Sequence, residues 1–116
     1  MKEPQSTELT VRQLQRRIDA WMSQFEEGYW PPLANVARLA EEVGELAREV
    51  NHRYGPKKRK ASEAEGSIAQ ELGDIVFTVV AIANSLEIDL DEALEQTLHK
   101  VETRDANRWK RRDGEG

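Results

Sequence analysis

Glu41-Glu42-Val43-Gly44-Glu45, answered further along by Glu71-Leu72-Gly73-Asp74, is the stretch from which the fold of this chain can be read. Each cluster lies within an apolar pattern of helical period and places acids three residues apart. Residues at i and i+3 are neighbours on a helix surface, so each cluster sets two carboxylates side by side. That spacing costs an isolated helix about 0.2–0.5 kcal/mol per like-charged pair, and a cation would relieve it. The break at Gly55-Pro56-Lys57-Lys58-Arg59-Lys60 is short, which implies antiparallel neighbouring helices. Counting outward from it at about 1.5 Å per residue puts both clusters roughly 15 Å along their helices. The four carboxylates of Glu42, Glu45, Glu71 and Asp74 are therefore expected to converge on a metal site. Gly44 and Gly73 sit inside the two motifs. A mid-helix glycine costs about 1 kcal/mol against alanine, which close helix approach or room for a ligand would offset.

Around this pair of helices the pattern adds two more. Ser6 or Thr7 can cap a first helix with Leu9, Val11, Leu14, Ile18, Trp21, Met22 and Phe25 at helical spacing, stopping near Glu27-Gly28. Tyr29-Trp30-Pro31-Pro32 is a stiff aromatic corner in which Trp30 is either a packing anchor or a platform for a nucleobase. The second helix spans about Leu33 to Tyr54. Glu42 borders its apolar stripe, while Glu41 and Glu45 point away and need cover from another helix, of this chain or of a second subunit. The third helix spans about Ser62 to Leu86 and is apolar nearly all round from Ile75 to Ala83, which predicts the central, most buried element. Asn84 within it is a satisfied core amide or a ligand contact. Asp89, with Glu92 three residues on, forms a capping box for a fourth helix. Lys100, Arg104 and Arg108 share a face of that helix, either as a solvated surface or as a rail for phosphates. Lys57 and its basic neighbours allow the same two readings.

The 116 residues, with 34% charged, 38% hydrophobic and a mean hydropathy of −0.76, suit one small helical domain with mobile ends at 1–6 and 110–116. The net charge of −5 argues against general nucleic-acid binding. There is no cysteine, hence no disulfide and no thiolate metal site, which fits a reducing cytoplasm. No secretory h-region stands at the N-terminus, and no apolar run approaches about 18 residues, so the chain is not expected to span a membrane. Clustered oxygen donors suit Mg²⁺, with Mn²⁺ as a substitute, and Mg²⁺ held by a few carboxylates usually also binds phosphates.

At these residues the chain resembles the MazG-type all-α nucleotide pyrophosphohydrolases. Their hallmark, E-E-x-x-E followed by E-x-x-D, stands here as Glu41-Glu42-x-x-Glu45 and Glu71-x-x-Asp74. The flanking Trp30-Pro31-Pro32, Ala83-Asn84-Ser85-Leu86, Lys100-Val101-Glu102-Thr103-Arg104-Asp105 and Arg108-Trp109 are similar to a small single-domain branch, the YpjD type. The resemblance spans roughly residues 10–110. It implies a four-helix fold assembled as a dimer or tetramer with sites between subunits, and Mg²⁺-dependent hydrolysis of a nucleoside triphosphate to monophosphate and pyrophosphate. It further implies metal ligation by Glu42, Glu45, Glu71 and Asp74, with Glu41 holding a further metal or positioning the attacking water. Lys100, Arg104, Arg108 and Lys57 are expected at the triphosphate, with Trp30 as a platform for the base and Asn84 as a further candidate substrate contact. A phosphoribosyl-ATP-type pyrophosphohydrolase and a non-catalytic helical module with structural Mg²⁺ are the alternatives.

Overall fold

Thr10, rather than Ser6 or Thr7, begins the first helix. Its hydroxyl accepts from the Gln13 N–H at 3.1 Å while the Gln13 side chain accepts from the Thr10 N–H at 2.8 Å, a complete capping box. The computed structural model describes residues 8–56 and 67–112; Ser6, Thr7 and Ser62 lie outside them. Helix α1 covers Val11–Met22 and ends about a turn before the expected Glu27. The reason is local. Ser23 sends both its N–H and its hydroxyl to the Asp19 carbonyl, and the chain then runs through i→i+3 turns to Gly28. Gly28 turns the chain at φ +66°, a conformation that favours glycine.

Pro31 and Pro32 then start α2, Pro32–Tyr54, with no side-chain cap, because their fixed φ already matches a first turn. Helix α2 stops at Gly55, where a Cβ would lie 2.6 Å from the Asn51 carbonyl oxygen. Helix α3, Ile68–Ser85, is capped by the Ser67 hydroxyl. It closes with Glu87 in the left-handed region at φ +57° while Ile88 N–H reaches back to the Ala83 carbonyl at 2.8 Å. This is a Schellman closure with a non-glycine at its strained position. Helix α4, Leu90–Arg104, starts where expected, with the Asp89 carboxylate accepting from the N–H groups of Asp91 and Glu92.

The described residues form four helices and no strand. Helices α2 and α3 make the most extensive contact, α1 lies on α3, and α4 lies on α1. The core is small: Ile18 of α1 and Val80, Ala81 and Ala83 of α3 are its buried apolar members. Thr78, 1% exposed, satisfies its hydroxyl on the Asp74 carbonyl at 2.9 Å. Helix α3 is thus central, but only along one side. Its Leu72, Val76 and Phe77, with Leu14 and Ile18, line an open apolar groove of about 550 Å³. A second groove of about 570 Å³ follows the outer stripe of α2 through Val43, Leu46 and Val50 to Tyr54, which is 74% exposed. By length and mean hydropathy alone (1.2 over Ile68–Ser85), α3 matches the dimensions of a membrane span, as a central core helix also can, and it carries Glu71 and Asp74.

Candidate functional site

Helical periodicity carries Glu42 from the edge of the α2 stripe toward α3, where Glu71 and Asp74 stand one turn apart. One carboxylate oxygen from each of the three lies within 4.8 Å of the others. The trio forms although α3 begins at Ile68 and not near Ser62, so Glu71 and Asp74 lie only about 7 Å into their helix and not the expected distance of roughly 15 Å. Desolvation at the helix interface pushes the Glu71 carboxyl above its ordinary range, and a hydrogen bond with Glu42 adds to this. The charges of Glu42, Asp74 and Glu45 push the same way. Glu71 Oε2 is buried and has no hydrogen-bond partner. Orphaned acceptors of this kind are costly. Three hard oxygen donors, mutual repulsion and an unsatisfied buried oxygen fit a divalent cation such as Mg²⁺ or Mn²⁺.

Glu45 does not join the trio. Its Oε2 accepts from Arg48 Nη2 at 2.8 Å, an i,i+3 pairing on its own helix. Glu41 is exposed, as its position away from the apolar stripe implies. The expected fourfold convergence is therefore threefold within this chain, with Glu45 close enough to be felt by Glu71. The glycines are not sites of close approach between α2 and α3, because a Cβ on Gly44 or Gly73 would meet nothing within 4 Å. Space at both motifs is open instead.

The expected substrate contacts are scattered. Asn84 is held as a core amide. Its Oδ1 accepts from Gln15 Nε2 at 2.9 Å, and its Nδ2 donates to the Gln15 carbonyl at 3.0 Å and the Tyr29 hydroxyl at 2.9 Å. Tyr29 in turn donates to Asp19 at 2.7 Å, and burial with that acidic neighbour raises its pKa to about 12. Trp30 is partly exposed with the Arg38 guanidinium 5.4 Å from its ring centre. Arg104 makes a two-pronged pair with Asp105, both bonds 3.1 Å. Arg108 lies 3.7 Å from the same carboxylate and over the Trp109 ring. Lys100 is exposed on α4, the helix that packs against α1. Among the described residues no ion pair links Lys100, Arg104 or Arg108 to the acidic trio, and Lys57 lies outside them.

Sequence reasoning missed Glu49. It is 7% exposed, a buried acid two turns beyond Glu42 on the α3-facing side of α2. Its i+7 offset from Glu42 was the available signal, masked by the acidic motif before it.

The description of a MazG nucleotide pyrophosphohydrolase domain matches residues 31–109. The uncharacterized protein YpjD of Bacillus subtilis (strain 168) is 52% identical over 104 residues, 90% of this chain and 94% of its own. YvdC, also uncharacterized and from the same strain, is 29% identical over 96 residues, 74% of this chain and 91% of its own. A crystal structure of YPJD from Bacillus subtilis, described as a candidate pyrophosphatase, superposes with a TM-score of 0.72 at 50% identity, covering 82% of this chain and 97% of that one. The crystal structure of a Bacillus-conserved MazG protein, a nucleotide pyrophosphohydrolase, gives 0.70 at 46% identity, covering 82% and 92%.

Proposed function

This chain belongs to the MazG nucleotide pyrophosphohydrolase family, a hydrolase acting on nucleotide pyrophosphate bonds, and from that premise we propose the reaction and its parts. The substrate is a nucleoside triphosphate, cleaved at the α–β anhydride to give the monophosphate and pyrophosphate, in a nucleotide-pool housecleaning role. The observation that carries this reading is the Glu42–Glu71–Asp74 trio with its orphaned, buried Glu71 oxygen.

Glu42, Glu71 and Asp74 would hold Mg²⁺, with Glu45 as the fourth ligand once it leaves Arg48. Such an ion, when bound, would supply charge neutralisation for phosphate and acidify a water. Glu41 holds a further ion or orients the attacking water from the outer edge of the cluster. Lys100 and Arg104 of α4, with Arg108 just beyond its end and Lys57, bind the triphosphate, and Trp30 offers the base a ring face. Asn84 serves the site only through the corner it fixes beside Tyr29 and Trp30.

A second copy of the chain completes the site. The two apolar grooves and the uncovered side of Glu41 and Glu45 support a homo-dimer or homo-tetramer. It also offers a route for α4 cations to reach another copy's acids, since they are not joined to those of their own chain. Hydrolysis in ¹⁸O-water tests the chemistry. The label should appear in the nucleoside monophosphate. Label in pyrophosphate would mean attack at the β-phosphorus, and free orthophosphate with a diphosphate would mean a γ-phosphatase; either overturns the proposal.

A further inference from the structure

Arg48 stands between two carboxylates and makes a short bond with one of them. Its Nη2 donates to Glu45 Oε2 at 2.8 Å and lies 3.9 Å from Glu49 Oε1. Glu45 and Glu49 are i,i+4 neighbours, so Arg48 sits at the seam between like charges on successive turns. The two partners differ in burial. Glu45's side chain is 47% exposed, and Glu49's is 9% exposed. Screening makes the first pair weak and easily exchanged. The second carboxylate is desolvated yet holds its one described cation at arm's length, and a buried acid is stabilised by a closer partner.

We infer that Arg48 is a positioning residue for the metal site, with Glu49 as the second seat that lets its guanidinium release Glu45. Arg48 holds Glu45 outside the trio of Glu42, Glu71 and Asp74. When Glu45 turns to a divalent cation, the guanidinium closes on Glu49, so no carboxylate or guanidinium is left unpaired. The exchange lowers the cost of recruiting the fourth ligand. Without Glu49, Arg48 stays on Glu45 and competes with the ion. This inference rests on the metal reading above, but it assigns roles to two residues outside the acidic motif.

A double-mutant cycle on Mn²⁺ affinity, measured by electron paramagnetic resonance without nucleotide, tests it. Glu49→Gln should weaken Mn²⁺ binding roughly three- to thirtyfold in the otherwise unaltered chain, a range typical of contacting residues in one network. In an Arg48→Ala background the same change should have no effect, because there is no guanidinium left to compete. Equal losses in both backgrounds would mean that Glu49 acts only as a distant charge, and the proposal fails. It fails also if Arg48→Ala by itself weakens Mn²⁺, since Arg48 would then be orienting Glu45 toward the ion. If Glu49→Gln does not fold, ¹³C-carboxyl spectra of the unaltered protein during Mg²⁺ titration decide instead. The Glu49 signal should move with the Glu45 signal, and a silent Glu49 overturns the idea. Absence of any Mn²⁺ binding to the unaltered protein would instead remove the metal reading itself.

Discussion

Asn84→Ala separates a core amide from a substrate contact. The alanine removes three hydrogen bonds: Gln15 Nε2 to Oδ1 at 2.9 Å, and Nδ2 to the Gln15 carbonyl at 3.0 Å and to Tyr29 at 2.9 Å. Each is worth about 1 kcal/mol net, with a range near 0.5–1.5. The loss is therefore about 2–4 kcal/mol, more if no water enters to serve the stranded groups. Against a typical domain stability of about 5–15 kcal/mol this is a large fraction. It corresponds to a fall in Tm of about 10–20 °C for a chain of this size. Urea and thermal melts followed by circular dichroism, at one fixed protein concentration because assembly adds to stability, would read it. Tyr29→Phe should share part of the loss, and the two changes should be non-additive because they remove the same bond. Below its melting range Asn84→Ala should still hydrolyse nucleotide. A variant with unchanged stability and no activity would refute the reasoning and make Asn84 a ligand contact.

The raised Glu71 carboxyl gives a pH dependence with a definite sign. The folded state holds that proton more tightly than the unfolded chain, so its contribution is fully present below the ordinary carboxylate range and is lost as pH rises through the elevated value. Relative to Glu71→Gln, EDTA-treated protein should therefore lose stability from about pH 4.5 toward neutrality, and Mg²⁺ should restore it; parallel urea midpoints for the two proteins would contradict this. Glu45→Gln should cut hydrolysis by orders of magnitude while preserving the fold, and a fully active variant would remove Glu45 from the site. Arg104→Ala should lower kcat/KM about 10- to 150-fold, the worth of a charge-assisted phosphate contact; an unchanged value would leave Arg104 as the surface partner of Asp105. Light scattering at micromolar concentration should find a dimer or tetramer, and a stable monomer would leave both apolar grooves without their proposed cover.

Period and capping chemistry alone determined four helices, their order and the corner between α1 and α2. A 3.6-residue stripe and the residues that end it, such as Gly55 and Asp89, are local properties. The meeting of Glu42 with Glu71 and Asp74 was expected from a count outward from a short connection, but α2 ends at Tyr54 and α3 starts at Ile68, so the packing of the two helices sets their level. Tertiary structure decided what spacing cannot express. Glu45 pairs with Arg48 by a local i,i+3 contact, but that its carboxylate stays outside the trio of Glu42, Glu71 and Asp74 is set by how α2 packs on α3. Asn84 could serve substrate or core until three hydrogen bonds from α1 and the Tyr29 corner occupied its amide. Glu49, which the sequence pattern did not single out, is buried by the packing of α2. Gly44 and Gly73 suggested either close helix approach or room for a ligand, and the structure leaves open space beside both. Sequence fixes which groups are present on each helical face; only the packed helices decide which of those faces meet, and so which charges must share a cation.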